Sequence, residues 1–186
     1  ILLHHQMGLS DAVKKVEKLN TIIRDEIKKH AGKEALHYGQ EIIGSFMTAE
    51  KAVSCALAIQ EQLKGMPEEY FSVRIHAGEP VAKTDELFGD TLQLLNWLGI
   101  MKRKEAIVIT PGIKELIAKD MQDKSKAQLF ALTIPDEQFL TSLFDVLEKN
   151  YTHNDFNSDK YAQALVMSKS QLYRRVTALT GYSPND

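Results

Sequence analysis

The residues with the clearest chemistry lie near the end of the chain, on one predicted helix. The polar side chains of this helix include Lys169, Ser170, Gln171, Arg174 and Arg175. The helix is predicted from Lys169 to about Leu179, with Ser168 as its cap and Gly181 as its closing residue. A helix fits the major groove of DNA, where polar side chains read base edges and Lys or Arg holds phosphates. The pattern therefore indicates nucleic-acid binding, although Arg175 can equally be an exposed residue of a solvated face.

Three histidines near the start of the chain are candidates for a transition-metal site. They are His4, His5 and His37, and imidazole suits zinc or nickel. No cysteine or acidic ligand with recognisable spacing accompanies them. The alternative is that they are ordinary polar residues, so the sequence predicts no metal and no cofactor, with His5 and His37 as weak candidates.

Other sequence motifs for catalysis or phosphate binding are missing. It contains no glycine-rich phosphate loop, no CxxC pair and no nucleophile elbow. Cys55 falls on an apolar helix face and is predicted to lie in the core. Trp97 and Met101 are predicted either in the core or at a dimer surface.

The composition is that of a globular protein. The chain has 186 residues, of which 44% are hydrophobic and 26% are charged, with a net charge of −2. This charge excludes a basic coat over the whole surface, so any contact with nucleic acid or membrane must be local. A single cysteine fits a reducing cytosol, and no apolar run approaches the roughly 20 residues that span a bilayer. We expect a cytoplasmic protein and, since the chain opens at Ile1, a piece of something longer.

Residues 1–134 are predicted to alternate strands and helices. The order of predicted elements is βαββαβαβαβ, with a hairpin formed by Ala35–Tyr38 and Ile42–Phe46 around Gly39-Gln40. The first long helix starts at Ser10-Asp11, and Gly32 can close it. The pattern favours an α+β sandwich with helices on one side of a mainly antiparallel sheet.

Residues 135–186 are predicted to be all-helical, with Pro135 as the boundary. An apolar stripe of Phe139, Leu143 and Val146-Leu147 predicts one helix, and two short helices follow around Leu165-Val166-Met167. This is a helix-turn-helix pattern, and any αα-hairpin is the alternative.

The helical segment resembles the AraC-type transcriptional regulators. The resemblance lies in Met167–Arg175 (MSKSQLYRR) followed by Thr180–Pro184 (TGYSP), and it extends to Phe139–Asn150 and Phe156–Ser158. It implies that Ser170, Tyr173 and Arg174 face the DNA groove. Leu172, Val176 and Leu179 would be core. The family carries two such motifs, and the second is missing from this chain.

Residues 1 to about 133 resemble class III adenylate/guanylate cyclase homology domains. The matching motifs are Ala31–Glu34, Tyr38–Gln40, Ile43 with Phe46, Lys51–Gln60, Val73–Glu79, Phe88–Asp90 and Ile107–Thr110. The resemblance implies a ferredoxin-like βαββαβ core and a dimer whose sites lie between two subunits. It also implies that His5 and His37 lie on neighbouring elements.

The residues that such cyclases need for catalysis are replaced in this chain. By the resemblance, the two metal-binding carboxylates fall on His5 and Gln40, and the purine-selecting lysine falls on Leu36. The transition-state asparagine and arginine fall on Gln93 and Trp97. Neutral ligands cannot balance the charge of two metal ions bound with a triphosphate. An indole cannot neutralise the negative charge that develops on the phosphate. The sequence therefore predicts a protein that is not an enzyme.

The expected function is that of a transcription regulator that binds DNA through Lys169, Ser170, Tyr173, Arg174 and Arg175. An inactive cyclase-like domain would sense an unknown small-molecule effector or form a homodimer, with no role for a membrane. Two alternatives stay open. One is a cyclase-family enzyme with displaced ligands, and the other is an interaction scaffold with a vestigial helix-turn-helix.

Overall fold

The computed structural model of the chain describes residues 9–35, 41–65, 71–78, 89–101, 107–153 and 155–185. The helices are α1 (Leu9–Lys29), α2 (Ala49–Gln62), α3 (Gly89–Leu98), α4 (Pro111–Leu116), α5 (Lys119–Lys124), α6 (Ile134–Asn150), α7 (Ser158–Ala164) and α8 (Lys169–Thr180). The strands are β1 (Lys33–Glu34), β2 (Gly44–Ser45), β3 (Val73–Ile75), β4 (Ile107–Ile109) and β5 (Leu129–Ala131). The predicted mixture of helices and small sheets is confirmed. No helix in these ranges combines the length and the apolar character needed to cross a membrane.

The first helix is buried only along its second half. Ile27 is buried against α2, whereas Val13 and Val16 at the other end of the same stripe are exposed. The helix begins at Leu9, one residue before the predicted Ser10 cap. The helix ends at Lys29, and the Gly32 amide donates to the Ile27 carbonyl at 2.8 Å, so Gly32 takes part in closing the helix as predicted. The left-handed residue of this turn is Ala31, at φ 57°.

The absence of a side chain at Gly32 also allows close packing against the Phe46 ring. A Cβ added there would lie 2.5 Å from Cε1 of Phe46. The antiparallel pair forms at Lys33–Glu34 and Gly44–Ser45. The predicted hairpin is confirmed in its direction: β2 lies within the predicted stretch Ile42–Phe46, whereas β1 lies just before the predicted stretch Ala35–Tyr38. The predicted turn at Gly39-Gln40 lies outside the described residues.

The three-stranded sheet has the order β3-β4-β5, and both pairs are parallel. The prediction of a mainly antiparallel sheet is therefore wrong for the described strands. Each connection between them contains helix, which returns the chain to the same edge and makes the strands parallel. The central strand β4 is buried on both faces, so the predicted placement of helices on one side is also wrong.

The two faces of β4 contribute to different hydrophobic clusters. Ile107 and Ile109 pack with α2 and α4, and Val108 packs on the opposite face. We call the cluster around Val108 the shared core. Its buried members are Leu94, Trp97, Leu98, Met101, Val108, Leu132, Phe139, Leu140, Leu143, Phe144, Tyr161, Ala162, Leu172, Val176 and Leu179. The shared core crosses Pro135, so residues on both sides of the predicted boundary bury one another.

Candidate nucleic-acid interface

The turn between α7 and α8 closes α7 tightly, and one residue in this turn is strained. The Met167 amide donates to the Ala162 carbonyl and the Val166 amide donates to the Gln163 carbonyl, each at a distance of 3.0 Å. This is the Schellman pattern, which places its central residue in the left-handed region where glycine is favoured. Here that residue is Val166, at φ 55° and 92% exposed. A β-branched residue in this conformation is strained.

The start of α8 is held by a reciprocal pair of hydrogen bonds. The Gln171 amide donates to Ser168 Oγ over 3.2 Å, and the Ser168 amide donates to Gln171 Oε1 over 2.9 Å. This capping box satisfies two backbone donors that the helix itself leaves without partners. The predicted Ser168 cap is confirmed, as is closure by Gly181 at φ 78°. Gln171 faces outward as predicted, but its side-chain oxygen is committed to the cap.

The inner face of α8 fixes the helix to the rest of the chain. Leu172, Val176 and Leu179 are buried in the shared core, which confirms the predicted core positions. The neighbouring α7 is anchored by Tyr161, whose hydroxyl donates to the Leu143 carbonyl over 2.7 Å. Burial raises the pKa of Tyr161, so this phenol stays neutral and keeps its proton for the bond. The orientation of α8 is therefore set by α6 and α7.

The outer face of α8 carries the groove-facing residues implied by the AraC resemblance. Ser170, Tyr173 and Arg174 are all exposed, and their spacing along a helix places them on one side. The Arg174 Nε donates to the Ser170 carbonyl over 3.3 Å, which lays the guanidinium along this side. We call these three residues the α8 face.

The other two cations of α8 contact the protein itself. Lys169 Nζ lies 2.5 Å from Asp159 Oδ1 of α7 in an ion pair. Arg175 Nη2 donates to the Pro135 carbonyl over 2.7 Å, and its guanidinium carbon lies 4.1 Å from the centre of the Phe139 ring. Arg175 thus packs α8 against the start of α6, rather than projecting from a solvated face. Its predicted phosphate contact stays a prediction.

The two described residues at cyclase catalytic positions are bound by one carboxylate of α6. Gln93 Nε2 donates to Glu148 Oε2 over 2.7 Å, and Trp97 Nε1 donates to Glu148 Oε1 over 3.2 Å. The Trp97 ring stacks on Phe144, with centroids 5.0 Å apart. Trp97 and Met101 are buried in the shared core, which decides between the two predicted alternatives for this chain. The remaining catalytic positions (His5, Leu36 and Gln40) and the other two metal candidates (His4 and His37) lie outside the described residues.

A polar cluster at the carboxyl ends of the parallel strands was not predicted. His76 follows β3 and Thr110 follows β4, and His76 Nδ1 lies 3.1 Å from Thr110 Oγ1. Glu137 of α6 lies 3.9 Å from the same ring nitrogen. Burial lowers the pKa of His76 and raises the pKa of Glu137, because it disfavours the charged form of each group. If the sequence had indicated parallel strands, His76 and Thr110 would have been expected at the same edge of the sheet.

Neither a metal centre nor a reactive thiol is found in the part of the chain that the structure describes. Within those residues, no three His, Cys, Asp or Glu side chains are placed to hold an ion. Burial raises the pKa of Cys55 to about 11, so this thiol stays protonated and unreactive near neutral pH. The predicted core position of Cys55 is confirmed.

No family model, curated protein or solved structure matches the chain. The α8 face offers a hydroxyl, a phenol and a guanidinium on one rigid helix, and such groups can donate to base edges and phosphates.

Proposed function

We propose that this chain is part of a cytoplasmic transcription regulator that binds DNA through an AraC-type helix-turn-helix formed by α7 and α8. One observation carries the proposal. Ser170, Tyr173 and Arg174 share the exposed face of α8, while the opposite face is buried in the shared core. An exposed polar face on a firmly seated helix is what insertion into the major groove requires.

The chemistry of the α8 face fits base reading. An arginine in the groove can donate two hydrogen bonds to O6 and N7 of guanine, and hydroxyl groups of serine and tyrosine can contact bases or phosphates. Arg174 lies one residue from Tyr173 and a helical turn from Ser170, so the three side chains span a few base pairs. In this proposal Arg174 reads bases, and Lys169 and Arg175 hold phosphates.

The α+β segment is proposed as an inactive cyclase-like domain that senses an effector or forms a homodimer. The binding of Gln93 and Trp97 by Glu148 supports the lack of catalysis, because both side chains are committed to α6. Symmetric dimers are the commonest assemblies, and sedimentation at high micromolar concentration should show a species heavier than the 21.0 kDa chain. A chain that stays monomeric there would contradict the dimer.

DNA binding is tested by fluorescence anisotropy with the 186-residue chain at low salt. A pool of random duplexes is first enriched on the protein, and the selected duplex is compared with a scrambled one. Arg174→Ala should reduce the preference for the selected duplex by about 1–3 kcal/mol. Arg24→Ala, which removes the same charge from α1, serves as the matched control and should leave the preference unchanged. If Arg174→Ala has no effect on either duplex, the assignment of the α8 face is wrong.

A further inference from the structure

The ion pair between α7 and α8 lies beside a hollow on the surface that we propose meets DNA. This hollow has a volume of about 380 Å³. The polar residues that line it are Ser158, Lys169, Ser170, Tyr173, Arg174 and Asn185. Hydroxyl, phenol, amide and cationic groups thus converge on one concave surface, next to the α8 face. Groups of these types are the usual partners of DNA phosphate oxygens.

The cation at this hollow is already paired inside the protein. Lys169 Nζ lies 2.5 Å from Asp159 Oδ1, and both side chains are more than half exposed. An exposed ion pair of this kind is weak, because water and salt screen the attraction and both side chains lose freedom. A phosphate with the same charge can therefore replace the carboxylate at little cost.

We propose that the hollow is a seat for a phosphate of the DNA backbone, and that Asp159 competes with this phosphate for Lys169. The proposal rests on the DNA binding proposed above and adds a residue that lowers affinity. Asp159 carries a negative charge against the incoming strand and must release Lys169 before the phosphate contact forms. The competition acts on every sequence alike, since the backbone carries no base information.

Removing the competing charge should tighten binding. Asp159→Asn keeps the size of the side chain, and we expect about two- to fivefold higher affinity for the selected and the scrambled duplex alike. Forming the phosphate contact releases about 0.9 counterion, but in the wild type the freed Asp159 carboxylate attracts a cation in return. Asp159→Asn removes this uptake, so the plot of log affinity against log salt should become steeper by up to about 0.9. Asp120→Asn is the matched control, because Asp120 forms a similar exposed pair with Lys124 at 2.9 Å on α5. It should change neither quantity.

A double-mutant cycle separates competition from general repulsion. Lys169→Gln should weaken binding to both duplexes, and Asp159→Asn should have little further effect in that background. An equal gain from Asp159→Asn with and without Lys169→Gln would overturn the competition, as would an effect no larger than that of Asp120→Asn. In either of these two outcomes, the proposed function still stands if the wild type binds DNA and loses this binding only when Arg174 is replaced by Ala. If neither the wild type nor Asp159→Asn binds any duplex at low salt, the proposed function fails and this inference fails with it.

Discussion

Trp97 Nε1 donates a hydrogen bond to Glu148 Oε1 over 3.2 Å, which ties α3 of the α+β segment to α6 of the helical segment. The same carboxylate accepts from Gln93, so one α6 side chain holds two positions of α3. By the cyclase resemblance these two positions would stabilise a reacting phosphate. In this chain they serve to join its two predicted segments.

Glu148→Ala should destabilise the fold by about 1–3 kcal/mol, because the buried Trp97 indole N–H loses its acceptor. Urea unfolding measures the change. Trp97 is the chain's single tryptophan, so its emission should also shift to longer wavelength as water reaches the ring. Glu61→Ala removes an exposed partner of Lys64 and should cost less than about 1 kcal/mol. Equal effects of the two substitutions would refute the role of Glu148.

Val166→Asn should stabilise the chain by about 1 kcal/mol, because asparagine tolerates the left-handed conformation that strains valine. The side chain is 92% exposed, so little packing is lost. Thermal unfolding gives the measurement. Val16→Asn, on the exposed part of α1, lacks this strain and should bring no gain. A lower melting temperature for Val166→Asn than for Val16→Asn would contradict the strained turn.

Stability should depend on pH through His76. Burial holds the pKa of His76 below its ordinary value of 6.5, so the unfolded chain takes up this proton before the folded chain does. The free energy of unfolding contributed by His76 is complete above about pH 6.5 and is lost as the pH falls toward the folded-state value. Glu137 acts in the opposite sense, since its raised pKa favours the folded state at low pH and loses that effect as the pH rises.

His76→Asn isolates the histidine contribution. This substitution keeps a polar group near Thr110 and should flatten the loss of stability between pH 7 and pH 5 in urea unfolding. His153→Asn changes an exposed histidine of the loop after α6 and serves as the control for the same substitution at an exposed site. If the free energies of unfolding of the wild type and of His76→Asn change in parallel with pH, the burial of His76 does not contribute to the pH dependence of stability.

The purified chain should form no cyclic nucleotide from ATP or GTP with Mg²⁺ or Mn²⁺. If the cyclase resemblance holds, His5 and Gln40 stand where such cyclases have their metal-binding carboxylates, and Trp97 is held by Glu148. Product formation can be followed by chromatography. A cyclic product that disappears with Gln40→Ala would show an active site with displaced ligands.

The elements predicted correctly are those governed by neighbouring residues. Ser168 and Gly181 bound α8 as expected, because caps act within a few residues of the helix end. The direction of the strands depends on pairing between distant segments, and the expectation of an antiparallel sheet was wrong for that reason. The strain at Val166 has no signature in the sequence, because a left-handed position is normally marked by glycine.

The candidate site was predictable to a similar degree. The exposed positions of α8 follow from helical spacing, so the sequence places Ser170, Tyr173 and Arg174 together. The partners of Lys169 and Arg175 do not follow, because Asp159 and Pro135 approach them only when α6, α7 and α8 pack together. Tertiary packing therefore decides which cations project from the surface.

Entry of α8 into a DNA groove is tested by nuclear magnetic resonance of the nitrogen-15-labelled chain titrated with the selected duplex at low salt. We expect the largest shifts of backbone amides in α8, around Ser170, Tyr173 and Arg174, with smaller shifts at Asp159 and Lys169. Amides of α1 and α2 should stay unchanged. A duplex that saturates the protein while the α8 amides keep their positions would show that α8 does not enter the groove.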